Sequence, residues 1–198
     1  MNNKTTFYLA RHGQTEWNVE HRIQGQLDSP LTIEGKAQAL QLAEQCRTLN
    51  ITQILTSPLA RAVDTAIICG QQLQLTPKQV HGFEERHFGV WQGRLVSEVK
   101  AELNYVEITS QITDCKPELG ESAKELLARF ETMLKKQLQV ASNETYLIVT
   151  HGDILRSFMA QFNTKIFLEP KKSTGYDYKN AQLVPFSYDQ TTTTFSKL

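Results

Sequence analysis

The chain has 198 residues, with 21 basic and 21 acidic side chains and a formal net charge of zero. That length supports one sizeable core and demands no second domain, so residues 1–198 are expected to form a single unit. The charge balance excludes a general nucleic-acid or membrane-surface role, which would need a basic excess, so any anion site must come from local placement of charge.

The first apolar run, Phe7-Tyr8-Leu9-Ala10, is continuous and ends at Arg11-His12-Gly13, which predicts a buried parallel strand. A polar loop follows from Gln14 to Pro30. Thr32 is the expected N-cap of a helix reaching about Thr48, with Ile33, Ala37, Leu40 and Ala43 on its inner side. Ile51–Thr56 reads as a second strand. Ser57-Pro58 then reads as an N-cap with proline at the first helical position, opening a helix that faces the core with Leu59, Ala62, Val63, Ala66 and Ile67. Gln79–Phe83 is expected as a short third strand leading into a loop, Glu84–Gly89.

Residues 94–120 lack a clean period and read as a small excursion over the sheet. Ser122–Gln139 is the clearest helix, with an apolar stripe from Leu126 to Leu138 and a capping box between Ser122 and Glu125. A second strand-like run, Tyr146-Leu147-Ile148-Val149, ends at His151-Gly152 and feeds a helix of roughly Ile154–Phe162. Leu183–Tyr188 and Thr193–Ser196 are expected as terminal edge strands, although Pro185 weakens the first. Alternating strands and helices predict an α/β fold: three layers, α/β/α, around a mostly parallel central sheet. Cys46, Cys69 and Cys115 are odd in number and far apart. They predict reduced thiols in the cytoplasm, not a disulfide scaffold or zinc site. No stretch approaches the roughly 20 apolar residues of a membrane span. Met1–Thr6 precede no long apolar core, so no signal peptide is expected.

Ligands of open α/β sheets bind beyond the carboxyl ends of the strands. Arg11, His12, His151 and Arg61, the last in the first turn of the helix after Ser57-Pro58, are thereby expected to converge with one helix N-terminus. Such a cluster of cations suits a phosphoryl group, whose oxygens match the arginine fork two at a time. A neutral imidazole can attack phosphorus, and a carboxylic acid can protonate the leaving alkoxide. Glu84 and Glu85 are the carboxyls available after the third strand.

These residues fall in blocks that resemble the histidine phosphatases, the phosphoglycerate mutase-like superfamily. The blocks are Arg11-His12-Gly13-Gln14-Thr15-x-Trp17-Asn18; Arg22-x-Gln24-Gly25-x-x-Asp28-x-Pro30-Leu31-Thr32-x-x-Gly35; Ser57-Pro58-Leu59-x-Arg61-Ala62-x-x-Thr65-Ala66; Glu85-x-x-Phe88-Gly89-x-Trp91-x-Gly93; Gly120-Glu121-Ser122; and Val149-Thr150-His151-Gly152. The resemblance implies a phosphoglycerate mutase-like fold with 94–120 covering the substrate, and no metal or other cofactor. It implies His12 as the nucleophile that becomes phosphohistidine, with Arg11, Arg61 and His151 as its phosphate pocket. Glu85 aligns with the proton donor, ahead of Glu84. Asn18, Gln24 and Gly25 resemble loop residues around the phosphoryl oxygens, and the Gly152 N–H is a further donor.

Within that family the compact Gly89–Thr150 stretch is similar to short phosphatases, among them the α-ribazole and broad-specificity enzymes. The acid excess of 94–120 (Glu98, Glu102, Glu107, Asp114 and Glu118 against Arg94, Lys100 and Lys116) argues for hydrolysis over transfer to a trianionic acid. The implied partner is a small-molecule phosphomonoester, with no nucleic acid or membrane, and the chain acting as monomer or homodimer. Three other readings stand beside it: a phosphoglycerate mutase, a metal-dependent hydrolase built on His151-x-Asp153, and a phosphate-recognition module without turnover. A bell-shaped pH–rate profile is expected, falling between about pH 8 and pH 5 as His12 protonates. His21 and His81 are expected to be solvated, His87 to play a supporting role, and Trp17 and Trp91 to buttress loops. Lys135–Lys136 and Lys171–Lys172 are expected to be solvated faces.

Overall fold

The computed structural model describes residues 4–139, 144–162 and 178–198; Lys171 and Lys172 lie outside them. Six strands form one sheet: β1 (Lys4–Arg11), β2 (Gln53–Thr56), β3 (Lys78–Gln79), β4 (Thr145–Thr150), β5 (Leu183–Asp189) and β6 (Thr194–Lys197), in the order β3-β2-β4-β1-β5-β6. The first four run parallel, whereas β5 lies antiparallel to β1 and β6 antiparallel to β5. The helices are α1 (Glu16–Val19), α2 (Ile33–Cys46), α3 (Ala60–Leu73), α4 (Val96–Val99), α5 (Tyr105–Ser110), α6 (Ala123–Leu138) and α7 (Gly152–Ala160).

The period-2 alternation of β1 divides the core. Phe7 and Leu9 enter a cluster with Leu126, Phe130 and Leu134 of α6 and Phe158 of α7. Ala10, with half-buried Tyr8, points the other way onto Leu42 and Ala43 of α2 and Ala62 and Ala66 of α3. Two helical layers thus enclose the sheet, the expected three-layer architecture. The Ser122–Glu125 capping box starts α6 as its sequence predicts.

Several boundaries differ from the sequence expectations, each for a physical reason. Thr32 caps α2 and Ala43 is buried as expected, yet Ile33 is 91% exposed and the buried face runs through Gly35, Ala39, Leu42, Ala43 and Cys46. The rotation is set where the backbones of Gly13 and Gly35 meet: a Cβ on Gly13 would lie 2.3 Å from the Gly35 oxygen, and one on Gly35 would lie 2.0 Å from the Gln14 oxygen. Ser57 does not start α3, because its N–H continues the sheet by donating to the Val149 carbonyl. The helix opens at Ala60, capped from a distance by Asp28, whose carboxylate accepts the Ala60 N–H at 2.9 Å. Strand β3 is only two residues long because the chain turns at Gly82, where φ is +100°. Strand β5 is interior, between β1 and β6, and the Pro185 carbonyl accepts the Leu198 N–H.

The 94–120 segment carries α4 and α5. It packs on the body through Val99 and Ile108 against Ile23, Phe88 and Trp91. One fully buried guanidinium, Arg86, ties it down further, donating to the carbonyls of Ile108 (2.6 Å), Cys115 (3.3 Å) and Glu121 (2.7 Å).

Candidate active site

Three adjacent parallel strands end level with one another. The Arg11↔Thr150 pairing fixes β1 against β4, the His12 N–H donates to the Thr150 carbonyl, and Ser57 follows β2 with its N–H on Val149. Side chains leaving these ends therefore meet although the sequence scatters them.

The rings of His12 and His151 lie 5.3 Å apart, tilted by 58°. His12 Nδ1 sits 2.7 Å from the Gly13 carbonyl oxygen, which can only accept, so Nδ1 carries the proton and Nε2 the lone pair. Arg61 Nε donates to that Nε2 at 3.3 Å. Burial, followed by the charges of Arg61 and Arg11, holds the His12 pKa well below the usual imidazole range, against the weaker opposing effect of the Gly13 hydrogen bond. His12 is thus a neutral, oriented imidazole in a cationic nest, with the Nε2 lone pair available.

The remaining Arg61 donors are largely occupied. Nη1 bonds the Leu27 carbonyl and Asp28 Oδ1, both at 2.8 Å, and Nη2 bonds the Gly25 carbonyl at 2.7 Å. The expectation of a free two-pronged fork at this position is therefore corrected: the guanidinium is locked in place by the 25–28 loop. The expectation of a vacant α3 N-terminus is corrected too, because Asp28 accepts its first N–H groups. Asp28 falls within a motif block whose spacing gives no sign of this role, because its partners lie 32 and 33 positions away.

His151 caps α7 and is fully buried, its Nε2 2.7 Å from Ser57 Oγ. Its Nδ1 is buried without a partner among the described residues. Burial first, then the charge of Arg61, keeps it neutral as well. The Gly152 Cα lies against the Arg11 side chain, where a Cβ would meet Nε at 3.4 Å. Arg11 donates from Nη1 to the Tyr178 carbonyl and lines the cavity.

Glu85 faces the same cavity, while Glu84 is turned aside onto the Gly82 N–H and Arg129. Glu85 Oε2 accepts the Asp153 N–H at 3.1 Å and Oε1 accepts the Arg86 N–H at 2.9 Å. Burial and the neighbouring Asp153 carboxylate raise its pKa, with the two N–H bonds and Arg61 working against them. A carboxyl whose proton is retained to higher pH than usual, beside a neutral imidazole, can serve as an acid. Asp153, half of the suggested metal pair, is engaged by Arg156 Nε at 2.6 Å and by Arg86.

The cavity measures about 640 Å³. Asn18 and Gln24 line it: Asn18 Oδ1 accepts the Thr15 N–H, and Gln24 Nε2 donates to Thr15 Oγ1, leaving its Oε1 buried without a partner among the described residues. Sequence reasoning missed Asn180, whose Nδ2 donates to the His12 carbonyl at 2.9 Å, and Ser57, which orients His151. Asn180 sits outside every recognised block and carried no local signal. Trp17, expected as a loop buttress, lines the cavity, as does His21, which is exposed as expected, whereas Trp91 is buried against Ile23 and Phe88. His81 is exposed, and His87 accepts the Gly89 N–H as a supporting residue.

The acid-excess argument fails at the cavity wall. Glu98 bonds the Leu95 N–H, Glu102 pairs with Arg94 and Asp114 with Lys124. Among the described lining residues, the one charged group from 94–120 is Lys100, alongside Val96, Tyr105 and Val106.

The chain belongs to the histidine phosphatase superfamily (branch 1), whose family model matches residues 7–198. Among curated proteins it is 40% identical over 151 residues to a probable phosphoglycerate mutase, GpmB, of Enterobacter sp. (strain 638), covering 73% of this chain and 68% of the relative. Among solved structures, Bacillus stearothermophilus YhfR superposes with a TM-score of 0.83 at 30% identity, covering 98% of this chain and 95% of that one. A phosphoserine phosphatase from Entamoeba histolytica, in complex with 3-phosphoglyceric acid, gives 0.77 at 28% identity, covering 92% and 90%.

Proposed function

We propose that the protein is a metal-independent phosphomonoesterase. His12 Nε2 attacks phosphorus in line with the leaving oxygen, Glu85 protonates that oxygen, and water then cleaves the phosphohistidine. The observation that carries this reading is the tautomer of His12: Nδ1–H fixed on the Gly13 carbonyl, with the lone pair presented at Nε2 beside Arg61. Arg11 and the unpartnered His151 Nδ1 would hold the phosphoryl oxygens, with the Gly152 N–H as a further donor. Asn18 and Gln24 would complete the set, Gln24 by turning its amide so that Nε2 faces the anion.

The substrate is a small phosphorylated metabolite. A volume of about 640 Å³ with Ile23, Phe88, Val96 and Tyr105 in its walls supports a leaving group larger than a three-carbon acid, in the manner of the α-ribazole and broad-specificity phosphatases. Free thiols at Cys46, Cys69 and Cys115 support a cytoplasmic setting. His12→Ala should abolish hydrolysis of p-nitrophenyl phosphate, and chelators should leave the wild type unaffected. Full activity in that variant would end the proposal; loss on chelation, restored by metal, would transfer it to the metal-dependent reading.

The curated relatives named as probable mutases and the basic residues Arg22 and Lys100 at the cavity favour a second reading, phosphoglycerate mutation. Interconversion of 2- and 3-phosphoglycerate faster than release of inorganic phosphate would establish it.

A further inference from the structure

Behind Glu85 lies a buried charge cluster that the proposed steps do not use. Asp153, Arg86 and Arg156 are each 1% exposed or less. Arg156 donates to Asp153 Oδ1 from Nε at 2.6 Å and brings Nη2 to 2.5 Å of the same oxygen as an ion pair, while Arg86 Nη1 approaches Oδ2 at 3.5 Å. The backbone N–H of the same Asp153 holds Glu85 Oε2. The backbone of one acid thus holds the carboxyl of the other, and only the first has its own carboxyl clamped by two guanidiniums.

We infer that Asp153 is a positioning residue for proton donation: its N–H aims the Glu85 carboxyl, and its arginine-clamped charge keeps the proton on Glu85. This rests on the reading of Glu85 as the donor. Burial of Glu85 and a charge on Asp153 both disfavour a charge on Glu85. Two guanidiniums contact the Asp153 oxygens, whereas the Glu85 oxygens accept from two neutral N–H groups, so the cations favour charge on Asp153 over charge on Glu85. The other groups around Glu85 are Arg61 from α3, which favours its ionisation, and Arg129 from α6, whose Nη2 bonds the Glu85 carbonyl at 2.9 Å. His12 and His151 are neutral.

The test compares an alkyl phosphate, whose alkoxide must be protonated to leave, with p-nitrophenyl phosphate, whose phenolate leaves as the anion. Asp153→Asn removes the charge but keeps the N–H and the shape. The alkyl-to-aryl rate ratio at pH 7.5 should fall by about tenfold for each unit by which Glu85 then loses its proton earlier, and the alkaline limb of the alkyl rate should move to lower pH. Arg156→Gln should move that limb the other way, to higher pH, because Asp153 is then less compensated. A purely structural role would depress both substrates alike and shift neither limb. Should Asp153→Asn fail to fold, the direction of the Arg156→Gln limb decides. An unchanged ratio and limb in folded Asp153→Asn, or a downward limb in Arg156→Gln, overturns the inference. Glu85→Gln is the control: if it leaves the ratio untouched, the donor assignment itself has failed, and Asp153 is not what was tested.

Discussion

The two imidazoles are alike in type and in their place after a strand, yet each is fixed by a different partner. His12 is oriented by its own neighbour, Gly13, and His151 by Ser57, which lies 94 positions away. Their burial changes the pH behaviour expected from the sequence. With both held well below the usual imidazole range, the His12 limb moves to lower pH than a free imidazole would give. Histidine ring resonances of these two residues in the free protein should therefore stay at their neutral positions from about pH 7.5 down to about 5.5. Stability follows by linkage. A base whose folded pKa is depressed binds fewer protons folded than unfolded, so stability is full above the unfolded value of about 6.5 and declines as pH falls below it. Glu85, with a raised folded pKa, opposes this as one group against two. The denaturant midpoint should be lower at pH 5 than at pH 7. Composition cannot separate Glu84 from Glu85; the family spacing chose Glu85, and the hydrogen bond from the Asp153 N–H shows what distinguishes it.

Most helices and strands were legible where capping and period act locally. Thr32 and Ser122 cap as their sequences announce, because an N-cap bond spans only three residues. What failed were the contacts made at long range. The inner face of α2 was misread because the Gly13–Gly35 backbone contact, not the apolar count, sets its rotation. Gly35→Ala should destabilise the fold by about 1–3 kcal/mol in a urea titration, since both partners are backbone and cannot step aside. It should also lower activity, because the displaced Gly13 carbonyl orients His12. The start of α3 was misplaced because Ser57 serves the sheet and the imidazole, leaving capping to Asp28.

The three layers and the mainly parallel sheet follow from the alternation of strands and helices, and the structure bears them out. The cavity wall was less legible, since residues 94–120 fold as short helices whose inward side is chosen by the body they dock on. The thiols follow the same division between inside and edge. Burial pushes Cys46 and Cys69 up to about 12, and Cys115 is half-buried. A thiol reagent should modify at most one cysteine in the native protein and all three after denaturation.

The register that brings Arg11 level with Thr150 joins segments from opposite ends of the sequence. Helices and capped turns form quickly from neighbouring residues, but a pairing of such high contact order closes late. Neither half of the chain holds both imidazoles, so a fragment cut anywhere between them is inert. On dilution from denaturant, catalytic competence should return with the slowest phase, after helical ellipticity has already recovered.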